Sequence, residues 1–283
     1  MLVTSPFART AAALVVLFTA TTARADPPSV VASIKPLHAI VAAVMAGVAQ
    51  PRLLVKGSAS PHDYVMRPSD AAALNDADLV VWIGASFELF LAKPLEALAG
   101  DARVVTMMER AAAGQDPHIW LDPANARDMA QRIAGSLSEI DPDNRGRYQA
   151  NTVDFAARLD ALDSELRAAL APVAGRPYLV FHDAYVAFEQ RYGLAQVGAV
   201  TINLQRKPGA RRIADLRETI RETGARCLFG EPQFSTALLD TLIEGSEARI
   251  GVLDPLGAGL APGEEAYFTL MRNLAAGYID CLD

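Results

Sequence analysis

Four side chains of this 283-residue chain have the types and placement to hold a metal ion: His62, His118, His182 and Asp254. His62 lies in Ser60-Pro61-His62-Asp63-Tyr64, after the predicted strand Leu53 to Lys56. His118 lies in Asp116-Pro117-His118-Ile119-Trp120-Leu121-Asp122-Pro123, where prolines on both sides restrain the backbone. His182 directly follows Tyr178-Leu179-Val180-Phe181, and Asp254 directly follows Ile250-Gly251-Val252-Leu253. Each follows a predicted strand, and in open parallel sheets the carboxyl ends of the strands are where loops carry polar groups over a rigid scaffold. The chain has 4 histidines in all, so three of them in such loops is a concentration of donors. Three imidazoles and a carboxylate suit tetrahedral Zn(II), which accepts nitrogen and oxygen at about 2 Å. Manganese or calcium would draw more oxygen. The plainer alternative is that His182 and Asp254 cap helices and His62 faces solvent.

Two further residues border this set. Glu231, in Glu231-Pro232-Gln233-Phe234, ends another predicted strand and is a candidate to fix the tautomer of a ligating imidazole. His38 falls in the first turns of a predicted helix and reads as structural or surface.

The elements that must position these groups alternate strand and helix. Strands are predicted over Val30–Ile34, Arg52–Lys56, Leu79–Ile83 and Arg103–Met107, with helices over Pro36–Ala49, from a Ser69 cap through Asn75, up to Leu98, and over Ala124–Ile140. Strands apolar on both faces and separated by helices imply a parallel sheet covered on each side. The rhythm then breaks. Asp141-Pro142 opens a helix whose apolar positions Tyr148, Phe155, Leu159, Leu162, Leu166 and Leu170 keep helical spacing until Pro172 and Gly175, long enough to act as a rigid connector. Beyond Pro177 the alternation resumes, with strands Tyr178–Phe181, Gln196–Val200, Arg226–Phe229 and Arg249–Leu253 among helices Ala184–Tyr192, Ala210–Thr223, Ser235–Glu244 and one from Glu264. The expected fold is α/β: an N-terminal lobe over 26–140, a linking helix over 141–172 and a C-terminal lobe over 173–283.

Residues 1–25 carry Arg9, an apolar run from Ala11 to Ala20 and Ala23-Arg24-Ala25, the pattern of a cleaved signal peptide, so the mature chain is expected to start at Asp26. The run is too short to span a bilayer, and the junction has no cysteine for a lipid anchor; a soluble periplasmic protein is expected. The formal net charge of −7 becomes −9 when Arg9 and Arg24 leave, which argues against nucleic acid and suits a cation binder. In an oxidising compartment the two cysteines, Cys227 and Cys281, are expected to pair. No glycine-rich phosphate loop, nucleophile elbow or HExxH helix occurs.

Pro61-His62-Asp63-Tyr64 with Pro68-Ser69-Asp70, the Asp116 to Pro123 stretch, Phe181-His182-Asp183-Ala184-Tyr185, Glu231-Pro232-Gln233-Phe234 and Leu253-Asp254-Pro255-Leu256-Gly257 resemble the successive motifs of the periplasmic zinc-binding proteins of ABC-type metal importers, the ZnuA-like receptors. The resemblance covers essentially the whole mature chain. It implies two α/β lobes joined by one long helix, a metal in the cleft, and His62, His118, His182 and Asp254 as ligands. It further implies an inner-membrane permease with its cytoplasmic ATPase as partner, a monomer, and no enzymatic activity. Manganese receptors of this type typically have Glu where His182 stands, which favours zinc. The pattern departs in two places: 109–115 reads Glu-Arg-Ala-Ala-Ala-Gly-Gln where many relatives carry a His- and Asp-rich loop, and Asn203 to Pro208 is unusually basic. A manganese or iron receptor, or a zinc hydrolase with Glu231 or Asp254 as general base, are the alternative functions. Because ligating imidazoles must be neutral, affinity is expected to fall below about pH 6.

Overall fold

The computed structural model describes residues 26–109, 115–201 and 208–283. The expected signal peptide, most of the shortened loop and the basic stretch with Arg206 and Lys207 lie outside the described residues. The first half contributes β1 (Val30–Ala32), α1 (Lys35–Val44), β2 (Arg52–Leu53), α2 (Pro68–Asn75), β3 (Leu79–Trp82), α3 (Leu89–Leu98), β4 (Arg103–Thr106) and α4 (Pro123–Ile140). The long helix α5 (Arg145–Leu170) follows. The second half contributes β5 (Pro177–His182), α6 (Val186–Tyr192), β6 (Ala195–Thr201), α7 (Ala210–Thr223), β7 (Cys227–Gly230), α8 (Ala237–Ile243), β8 (Arg249–Val252) and α9 (Ala266–Leu282). The fold is α/β in two lobes, as expected.

Each lobe holds a four-stranded parallel sheet, ordered β2-β1-β3-β4 in the first and β6-β5-β7-β8 in the second. In register, Val80 faces Val31 on one side and Val104 on the other, and Leu228 sits between Leu179 and Ile250. The strands look uniformly apolar in sequence, but successive side chains leave opposite faces and enter different cores. Val31, Val80 and Trp82 pack with Leu74, Leu91 and Leu95 of α2 and α3. Leu179, Val200 and Leu228 pack with Leu216, Ile220, Leu239 and Leu242 of α7 and α8. The alternate residues Val30, Leu79, Val81, Tyr178, Val180 and Phe229 all enter one central core with residues of α1, α4, α5 and α9. That core is continuous across both lobes, so burial itself holds the lobes in one arrangement.

The long helix has a different character from a free strut. Pro142–Asn144 forms a short 3-10 turn ahead of α5, and Tyr148, Thr152, Phe155, Leu159, Leu162, Leu166 and Leu170 bury one stripe along its whole length. It contacts α1, α4 and α9, elements of both lobes. Two sequence expectations change in detail. Ser69 does not cap α2; the helix begins at Pro68 and the Asp70 carboxylate accepts from the Arg67 amide at 2.9 Å. His182 is not the first loop residue but the last residue of β5, paired with Thr201 of β6.

Cys227 and Cys281 form a disulfide, with Cα atoms 6.1 Å apart and a sequence separation of 54. It ties the first residue of β7 to the last turn of α9. Closing a loop of that length stabilises the fold by roughly 4 kcal/mol through the entropy it removes from the unfolded chain.

Candidate metal centre

Three of the predicted residues converge. His62, His118 and His182 each place a ligand atom within 4.8 Å of the others, the spacing at which one metal ion can be shared. Their ring centroids lie 5.7, 5.2 and 4.9 Å apart. His118 and His182 are buried at 3% and 6% exposure, and His62 is half-buried. Phe87 packs edge-on against His62 at 4.8 Å and His118 at 5.0 Å, and Trp120 sits 5.2 Å from His118. These rings give the site an apolar wall that keeps water away from one side of it.

Two of the imidazoles face carboxylates. The Asp116 Oδ1 lies 2.5 Å from His118 Nδ1 and also accepts the His118 amide at 3.0 Å. Burial alone would push the Asp116 carboxyl up, but the hydrogen bond and charge attraction of His118 outweigh it and hold the group below its ordinary range. Glu231, the expected tautomer-fixing residue, stands immediately after β7 with Oε1 3.2 Å from His182 Nδ1, a close approach without a well-aligned hydrogen bond. With each Nδ1 facing a carboxylate, Nε2 is the nitrogen left for a metal on both rings.

Asp254 behaves differently. It is not part of the three-histidine group. Its Oδ1 accepts from Gln233 Nε2 at 3.1 Å and from the amides of Leu256 and Gly257 at 3.1 and 2.9 Å, and its Oδ2 accepts from the Ala258 amide at 2.5 Å. The carboxylate thus folds its own loop, which turns at Gly257 with φ of 66°, a left-handed conformation that glycine adopts without strain. His38 is buried, not on the surface, with Nε2 3.0 Å from the Pro51 carbonyl.

Electrostatics prepare the site for a cation. Burial, then the nearby His118 and His182, push the His62 imidazole down to about 3. That ring is neutral across the range in which the sequence alone led us to expect proton competition, so protonation of His62 does not begin near pH 6.

Sequence reasoning missed Asp116, Phe87 and Lys35. Asp116 was readable: an Asp two residues before a histidine can close an Asx turn on the histidine's own amide, and here the same oxygen also reaches the ring. Lys35 gave no signal. It is buried at the start of α1 and its Nζ donates to the carbonyls of Gly257 and Ala258, 222 and 223 residues away in sequence.

A family model described as "Zinc-uptake complex component A periplasmic" matches residues 30–281. The chain belongs to the ZnuA family. The High-affinity zinc uptake system protein ZnuA of Brucella abortus is 39% identical to it, over 89% of this chain and 91% of that protein. A crystal structure of ZnuA superposes with a TM-score of 0.80 at 29% identity, covering 91% of this chain and all of the other. A manganese-bound periplasmic metal-binding protein from Candidatus Liberibacter asiaticus has a TM-score of 0.79 at 19% identity, covering 90% of this chain and 100% of the other, a likeness of fold alone. The ZnuA family comprises solute-binding receptors and not enzymes, which removes the hydrolase alternative. Among the described residues no helix is long and apolar enough to cross a membrane.

Proposed function

We propose that this protein is a periplasmic Zn(II) receptor that captures the ion between its lobes and delivers it, as a monomer, to an inner-membrane ABC permease driven by a cytoplasmic ATPase. The observation that carries the reading is the convergence of His62, His118 and His182 from both lobes on one point. Relatives named for high-affinity zinc uptake support the choice of metal. So does the chemistry, since imidazole is a poorer ligand for manganese than carboxylate is, and three imidazoles in one shell favour zinc.

His62, His118 and His182 are the ligands in this reading, and Asp254 is the candidate for the fourth donor. Its Oδ2 accepts one hydrogen bond, so lone-pair capacity remains on that oxygen. Glu231 and Asp116 orient the rings and do not bind the ion. Calorimetric titration of metal-stripped protein tests the assignment: tight zinc binding with one ion per chain is expected, and binding unchanged in His118→Ala would sink it. In competition, zinc should displace manganese; parity between the two metals would favour the manganese reading. A parallel titration of Asp254→Ala separates carboxylate from water at the fourth position.

A further inference from the structure

Phe87 is the aromatic ring that meets both first-lobe imidazoles. It is 2% exposed and packs edge-on against His62 at 4.8 Å and His118 at 5.0 Å, and its ring lies 5.1 Å from that of Trp120. His182, from the other lobe, has a more distant aromatic neighbour in Phe234 at 6.4 Å. The site is therefore walled unevenly, with the tighter apolar wall on the first-lobe side.

The turn that presents Phe87 is built to hold the ring still. β3 ends at Trp82, and the chain then passes through Gly84, whose φ of 143° favours glycine and where a Cβ would come within 2.5 Å of the Met108 carbonyl oxygen. The amides of Phe87 and Glu88 donate to the Gly84 carbonyl at 3.0 and 2.9 Å. The fully buried Glu88 carboxyl accepts from the amides of Ile83 at 2.8 Å and Gly84 at 3.3 Å. Moving the ring would break these bonds and leave buried amides without acceptors.

That wall bears on how many donors an ion can collect. Three imidazoles and one carboxylate oxygen make four, and any further donor must be oxygen from nearby. Asp116 and Glu231 stand at the Nδ1 atoms of His118 and His182. The Oδ1 of Asp254 already accepts from Gln233 Nε2 and from the amides of Leu256 and Gly257, so a second oxygen from that carboxylate would be taken at their expense. Water is the remaining source. A water bound to the ion still needs acceptors for its hydrogens, and a buried phenyl ring supplies neither the acceptors nor the room. Zinc is satisfied by four donors, whereas manganese and calcium want a larger, oxygen-rich shell.

Granted the metal reading above, we propose that Phe87 is a specificity-determining residue: by excluding water from the first-lobe side of the site it limits the bound ion to four donors and so selects Zn(II) over ions that require more. Gly84 and Glu88 are positioning residues that act through it.

Titration of the metal-stripped mature protein and its variants with Zn(II), Mn(II) and Co(II) tests this. The visible spectrum of the Co(II) form reads donor number, because the absorption is strong with four donors and weak with six. The parent protein should give the strong spectrum. Phe87→Ala should narrow the ratio of zinc to manganese affinity by at least about tenfold and weaken the Co(II) absorption as water enters. Phe87→Leu refills the wall with apolar atoms and should keep both readings near the parent's. Should Phe87→Ala fail to fold, Phe87→Val vacates the outer part of the ring's volume and gives the same two readings. A folded variant with the parent ratio and spectrum would overturn the proposal, as would a weak, six-donor spectrum in the parent. A loss of affinity shared equally by zinc and manganese would also overturn it, since Phe87 would then be a packing residue only. If the parent binds none of the three metals, the receptor reading itself falls and takes this proposal with it, a result distinguishable from the others because no variant is involved.

Discussion

His182 and His62 face the same point from opposite lobes, yet the chain delivers them by different means. His182 is the terminal residue of β5, locked into the ladder opposite Thr201 and backed by Glu231. His62 lies in a connection that leaves β2 at Leu53 and rejoins regular structure only at Pro68. The two sheets have the same strand order, but the donors leave non-equivalent strands, His182 the interior strand β5 and His62 the edge strand β2. What also differs is the length of irregular chain between the rigid element and the ligand. A donor on a strand end inherits the precision of the sheet, whereas a donor in a long loop must be ordered when the ion binds, and the entropy of that ordering is subtracted from its contribution.

The contrast is broken or sharpened first by removing the ligands themselves. His182→Ala should weaken zinc binding by roughly a thousandfold, about 4 kcal/mol. His62→Ala should cost less, on the order of ten- to a hundredfold. Competition against a chelator of known affinity measures both, and equal losses would mean that the loop donor is as well prepared as the strand donor. Converting Cys227 and Cys281 together to Ser should lower stability by roughly 4 kcal/mol in denaturant titrations of the metal-free protein. That loss falls on the lobe that presents His182, and a loss under about 1 kcal/mol would show that the unfolded chain gains little freedom when the bridge is absent.

Next come the orienting carboxylates. Glu231→Gln and Asp116→Asn should each reduce zinc affinity by about ten- to a hundredfold, as loss of an outer-shell partner generally does. An effect confined to Asp116 would say that the strand already orients His182 without help.

The smallest effect is on the pH dependence of stability. Burial pushes the Glu88 carboxyl up to about 7, partly offset by the Ser33 hydroxyl and the amides of Gly84 and Ile83. Burial likewise pushes Glu189 up to about 7, against a hydrogen bond from Tyr178. Between an unfolded value near 4.5 and that folded value, the native state holds protons that the unfolded chain has released, so both groups make stability fall as pH rises through 4.5 to 7. His62 has the opposite sign: its folded value of about 3 lies below the ordinary imidazole value of 6.5, so its contribution is lost as pH falls through that window. Denaturant midpoints of metal-free Glu88→Gln should therefore gain on the parent protein steadily from pH 4.5 to 7; a constant difference across that range would refute the assignment.

The alternation of apolar runs and helical periodicity is enough to place each of the eight strands among the described residues within a few residues, because local patterning and backbone preference act over short distances. The three histidines were legible for a related reason: the carboxyl ends of parallel strands face one edge of the sheet, so donors that follow such strands collect there. The Cys227–Cys281 pair was legible because two cysteines leave one pairing. None of this told which face of Val30 or Val31 met which core, or that the alternate faces of both sheets share one interior. Those outcomes depend on side-chain alternation read in three dimensions. Nor did residue types and spacing show that Asp254 accepts from the amides of its own loop, a partnership that only the path of 254–258 brings about. Lys35 shows the same limit most plainly. A lysine at the head of a helix reads as a solvent-facing charge, and its partnership with carbonyls more than 200 residues away exists only because the folded core brings the two lobes into contact.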